Sequence, residues 1–190
     1  MPLPLPQTGR TPLHTRTIRA QSYARDDGQW DIDVQLVDVK AYDFTRTNGT
    51  EHKAGEPVHD MLLRITFNDE FIITDAVAAY DAAPYGADCT AIATDYGALV
   101  GMNLLRGFRQ AVKARFGRTA GCTHMSELSG VLPTVAVQTM AKERRRKVVS
   151  APQERPFQLE GCHALRLDGP VVREYYPKWY AGPGQAAEHK

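Results

Sequence analysis

Apolar and polar residues alternate through the first 78 positions of the chain and then change period. The stretch TRTIRAQSYA (15–24) reads as a strand, and Asp26, Asp27 and Gly28 after it form a turn signal. Trp30, Ile32, Val34 and Leu36 then share one face of a half-buried strand. Beyond Leu36 the apolar phase moves to Val37, Val39 and Ala41, which predicts a bulge. The polar run DFTRTNGTEHKAGEP (43–57) reads as a loop. Met61, Leu63, Ile65 and Phe67 mark the next strand, Asn68, Asp69 and Glu70 the turn, and Phe71, Ile73 and Asp75 one face of a returning strand. Two hairpins, hence four antiparallel strands, are the economical interpretation.

The later chain repeats at three and four. Leu104, Leu105, Phe108, Val112 and Phe116 form a helical stripe that stops at Gly117. A second helix begins near Thr123 or His124, with Leu128, Val131, Leu132, Val135 and Met140 on its apolar face and Pro133 as a kink or break. It ends in the basic run KERRRK at 142–147, which suits a helix C-terminus. Strands early and helices late predict an α+β fold: an antiparallel sheet of about four or more strands packed against helices over 91–116 and 123–147. One domain over 15–180 is expected, between a proline-rich lead-in (1–14) and a small, polar tail (181–190). The aromatics Tyr175, Tyr176, Trp179 and Tyr180 call for burial near the end.

Composition narrows the class. With 190 residues, 43% hydrophobic and 24% charged, the chain is of globular type. Its 23 basic and 22 acidic residues give a formal net charge of +1, so nothing global draws it to nucleic acid. Three cysteines do not make a disulfide framework, and a reducing compartment is the simpler setting. The opening MPLPLP lacks the charged and apolar regions of a signal peptide, and no apolar run is of membrane-spanning length. A cytoplasmic protein without membrane or nucleic-acid partners is expected. A small-molecule substrate is the anticipated partner, with a homodimer as an open option.

The most pointed segment is GCTHMSEL (121–128). A helix starting there puts Cys122 or Thr123 at the N-cap and sets His124 and Glu127 three apart on one face. Three jobs are compatible: metal ligation through sulfur and nitrogen, an oriented His124–Glu127 acid–base pair, or a Cys122 nucleophile activated by histidine. The structural alternative is a capping Thr123 with a packed cysteine and an ordinary polar histidine. In GEPVHDM (55–61), His59 shares the strand face of Met61 and Leu63, with Asp60 on the other. That makes it a pocket histidine or a satisfied core one. Asp75, on an apolar face, must be paired, capped or protonated. Tyr85 and Tyr96 offer phenols, although a structural turn around Pro84 explains Tyr85 as well. Cys162 and His163 complete a widely spaced thiol–imidazole set with Cys89 and Cys122. No G-x-G-x-x-G, G-K-[ST], H-E-x-x-H or G-x-S-x-G is present, so dinucleotide, ATP and common hydrolase chemistry gain no support.

The ordered set IRAQSYARDDGQWDIDVQLVDVKAY, AGEPVHDMLLRITF, APY, GCTHMSEL and CHALRLDGPVV…YYPKWY resembles the DUF2889 family of uncharacterised bacterial proteins over 15–180. Met125 stands where members usually carry leucine. The resemblance implies one shared site drawn from His59, Asp60, Cys89, Cys122, His124, Glu127, Cys162 and His163. It carries no established reaction, only an association with bacterial breakdown of aromatic compounds. The expectation is then a lyase that cleaves a C–C or C–O bond of a small organic substrate, an aromatic one by that association, by acid–base chemistry, through His59, Asp75, Tyr85, His124 and Glu127. Two alternatives stay open: a Cys122-dependent hydrolase, and a metal- or ligand-binding scaffold without catalysis. Zinc or another divalent metal would take His59, Cys122, His124 and Glu127 as ligands.

Overall fold

A computed structural model describes residues 2–144 and 153–182. The chain divides into two compact units, Met1–Met140 and Ala141–Lys190. In the first, strands β1 (His14–Ala24), β2 (Trp30–Lys40), β5 (Pro57–Phe67) and β6 (Ile73–Ala82) form an antiparallel sheet in the order β1-β2-β5-β6. The fold class expected from periodicity is therefore present. The 43–57 stretch is more ordered than a loop: β3 (Phe44–Thr45) and β4 (Glu51–His52) pair as a small ribbon. Its order rests on buried His52, whose ring lies 4.8 Å from that of Phe44.

The helical half begins with α1 (Ala87–Thr90) and a 3-10 turn, Ala93–Leu99. The 91–116 helix is thus shorter and broken. Leu104 is buried but precedes the helix proper, α2 (Phe108–Phe116). Next comes α3 (Thr123–Thr139), which runs unbroken through Pro133. The end of the expected basic helix terminus, 145–147, lies outside the described residues, as does most of the tail. One face of the sheet packs against α3. Ile32, Val34 and Leu36 of β2 and Met61, Leu63, Ile65 and Phe67 of β5 meet Leu128, Leu132 and Ala136 in a continuous core.

Gly121 shows why α3 starts where it does. A Cβ there would sit 2.3 Å from the Phe116 carbonyl oxygen, so only glycine permits this approach. Cys122 follows as the N-cap, in extended conformation and without a side-chain cap. Its backbone is clasped by buried Tyr96: the Cys122 N–H donates to the phenol oxygen (2.9 Å), which donates back to the Cys122 carbonyl (3.3 Å). Tyr96 also stacks on Phe116 at 4.5 Å. The first turn of α3 is held from below by an aromatic pair.

The second unit has its own small apolar cluster. Leu159, Leu167 and Val172, the last on α4 (Pro170–Tyr175), gather Tyr176, Trp179 and Tyr180 around them. Cys162 and His163 belong to this unit and are exposed.

Candidate metal centre

The inward row of β2 does not end at Leu36. It continues to Asp38, only 3% exposed, so an apolar row terminates in a carboxylate. The register irregularity against β5 falls just after it, between Asp38 and Val39. Strand pairing sets Arg16 of β1 directly opposite Asp38 on one side and His59 of β5 opposite it on the other. Directly paired residues share a sheet face, so the three side chains form a transverse row. His124 reaches the row from the first turn of α3.

Asp38 is the hub. Its Oδ1 accepts from Arg16 Nε (2.8 Å) and contacts His14 Nε2 (2.7 Å). Its Oδ2 accepts from Arg16 Nη2 (2.7 Å) and contacts His59 Nδ1 (3.0 Å), with His124 Nε2 at 3.7 Å. Burial alone would raise the pKa of this carboxyl. The hydrogen bonds from Arg16 and His14, with the charge of Arg16, outweigh burial and hold it well below the usual range. The imidazoles move down as well. His59 is lowered by burial and then by neighbouring His124, against the opposing pull of Asp38. His124 is lowered by burial and then by the charge of Arg16. Their rings lie 3.9 Å apart, centroid to centroid. An ionised carboxylate thus faces two imidazoles biased toward neutrality, the protonation states that bind metals.

Ligand atoms of Asp38, His59 and His124 all lie within 4.8 Å of one another, and the three can hold a divalent metal ion such as zinc. His59 and His124 were expected there. Asp38 was not, and neither were Arg16 and His14. The available signal was a carboxylate at the end of the row Ile32, Val34, Leu36; the apolar residues Val37 and Val39 beside it read instead as a change of phase. Glu127 does not touch His124. It pairs with Arg16 Nη1 and so joins the centre through the guanidinium. Cys122 Sγ lies 3.8 Å from His124 Nδ1, adjacent to the metal set without belonging to it.

Asp75 and Tyr85 are placed elsewhere. The β5–β6 register slips between Thr66 and Phe67, and Phe71 takes a positive φ of 64°, so alternation breaks in the turn. Ile73 stays inside while Asp75 faces solvent, accepting the Ala76 N–H (2.9 Å). Tyr85 is 74% exposed and lines a cavity with Phe44, Arg46 and Val58 that includes none of Asp38, His59 or His124. A phenol beside the Cys122 thiol is instead that of Tyr80, and burial, then the thiol's proximity, pushes its pKa far up.

An antiparallel sheet with one helix-covered face, carrying a carboxylate–imidazole centre, defines the class: an α+β protein with a candidate metal site on its inner sheet face. The sequence model of one family, described as "Protein of unknown function (DUF2889)", matches residues 14–138. That span is most of the chain, and the chain belongs to this family. It begins at His14 and includes every residue of the centre. No curated protein and no solved structure matches. Among the described residues no helix is long and apolar enough to cross a membrane.

Proposed function

We propose that this protein binds a divalent metal ion through Asp38, His59 and His124, and that this centre is its functional site. The observation that carries the proposal is the convergence of three ligand atoms within 4.8 Å from two strands and a helix. Such a set leaves coordination positions for water or substrate, and the bound ion supplies Lewis acidity and a more acidic water. The chain's own groups prepare it. Arg16 and His14 orient the carboxylate, Arg16 in turn is held by Glu127, and burial keeps both imidazoles deprotonated near neutrality. Titration of chelator-treated protein with zinc, by calorimetry, is the direct test. One site lost in both His59→Ala and His124→Ala supports the assignment; a site that survives both removes it.

Of the residues expected for a lyase, His59 and His124 lie in this centre, and that expectation draws on their lowered pKa values. A neutral His59 or His124 beside an ionised carboxylate is a competent base, and the imidazolium it becomes can return the proton. The substrate expected is a small organic molecule. Cys122 near His124 supports the competing hydrolase reading. Turnover of a panel of phenolic and hydroxy-acid compounds by wild type, Cys122→Ala and His124→Ala separates the two. Lyase chemistry survives loss of the thiol and incorporates no oxygen from labelled water; a covalent adduct at Cys122 selects hydrolysis.

A further inference from the structure

Helix α3 presents two polar flanks. His124, Glu127 and Val131 follow one another at three and four along the flank that serves Asp38, and Thr123, Ser126 and Gly130 do the same along the next. The second flank borders a cavity of about 630 Å³ between α3 and α2 that includes none of the metal-set residues. Its apolar wall is Phe108, Val112 and Phe116, all largely buried. Its rim carries Arg109, Lys113 and Arg118. No carboxylate pairs with any of these three cations among the described residues, so their charge is available to a ligand. Among the described residues Arg109 donates only to the Gly130 carbonyl, at 3.2 Å. Arg118 holds a φ of +57°, a backbone region arginine seldom adopts.

Gly130 adds an independent sign. A glycine in the interior of a 17-residue helix weakens it relative to alanine. A Cβ at this position would meet nothing within 4 Å, so no neighbour requires glycine there. The missing side chain does keep the cavity wall open. Oily wall, unpaired cations and vacant space together select a ligand with an apolar body and an anionic head.

We propose that this cavity is a second binding site, separate from the metal centre, for a carboxylate with a ring- or chain-sized apolar body. The proposal does not depend on metal binding at Asp38. The experiment is a titration of the full chain, followed by amide NMR and calorimetry, with benzoate, octanoate, neutral benzyl alcohol and inorganic phosphate. Saturable binding of benzoate or octanoate is expected, with shifts at 108–118 and 123–130. Removing charge in Lys113→Gln/Arg118→Gln, at exposed positions, weakens the carboxylates by about tenfold or more and leaves benzyl alcohol unchanged. Gly130→Leu fills the space and abolishes binding while the melting temperature holds or rises. Three results overturn the proposal: no saturable binding of either carboxylate at millimolar concentration, phosphate binding as tightly as they do, or wild-type affinity in both variants.

Discussion

His52 and the pair His59–His124 are all withdrawn from water within one unit of the protein, and their surroundings differ in kind. His52 is 2% exposed and has both ring nitrogens engaged, Nδ1 by Arg46 (2.7 Å) and Nε2 by the Glu56 carbonyl (3.1 Å), with Phe44 against its face. Nothing is left for a ligand. His59 keeps one nitrogen on Asp38, and its Nε2 has no hydrogen-bond partner among the described residues. His124 stands 3.7 Å from Asp38 and 3.8 Å from the Cys122 thiol, both long contacts. The first arrangement satisfies every lone pair and proton and holds a ribbon together. The second leaves ligating capacity unspent beside a buried charge.

The largest effect expected is from Asp38→Ala. It leaves Arg16 with Glu127 as its remaining partner and removes the partner of His14 and His59, and losing hydrogen bonds to a buried charged group costs about 3 kcal/mol. Urea unfolding measures the loss, and zinc binding disappears with it; unchanged stability would mean that the hub is not structural. Next comes a double dissociation. His52→Ala is expected to cost about 2 kcal/mol through two lost hydrogen bonds and a lost ring contact with Phe44, with zinc affinity kept. His59→Ala and His124→Ala should each change stability by less than about 1 kcal/mol but reduce zinc affinity by more than about 100-fold. If the three variants behave alike, the distinction between the two histidine environments fails.

Acidity sharpens the same contrast. The folded forms of His59 and His124 titrate below 6.5, so on acidification the unfolded chain takes up protons first. Their contribution is fully present above about 6.5 and declines as the pH falls toward the folded values. Asp38 adds its own loss only below 3.8, where the unfolded carboxyl protonates ahead of the folded one. Unfolding midpoints compared at about pH 7.5 and about pH 5 should therefore drop in wild type, and drop less in His59→Gln/His124→Gln. An equal drop in both would assign the effect to other groups. The smallest effect concerns Tyr80, whose buried hydroxyl has at best the Cys122 thiol, a weak acceptor, as a partner among the described residues: Tyr80→Phe should hold stability or raise it by up to about 1 kcal/mol in thermal unfolding.

Most of the sheet was legible in the sequence because its signal is local. Met61, Leu63 and Ile65 alternate, and the same period correctly put His59 on their face. GCTHMSEL announced a helix start, and the N-cap fell on Cys122. Cross-strand partners were not legible. That Arg16 stands opposite Asp38 depends on register across 22 residues of chain, which no local period encodes. The rule that a carboxylate on an apolar face must be paired was sound; it belonged to Asp38 and was applied to Asp75, where a slipped register and a left-handed Phe71 turned the side chain outward. Glu127 lay on the expected flank of the helix, but a charged arginine from β1 is a stronger partner for it than a neutral imidazole.

The transverse row Arg16, Asp38, His59 also bears on how the chain finds its fold. Sliding β1 by one residue along β2 would put Thr15 or Thr17 opposite Asp38 and leave a buried carboxylate without its cation. Because β1 is exposed along its whole length, apolar burial alone exerts little hold on its alignment. The ion pair supplies that hold, and a misaligned strand fails at the position on which the centre depends. Assembly of the site thus doubles as a proofreading step: a molecule able to complete it has, by that fact, paired its edge strand correctly.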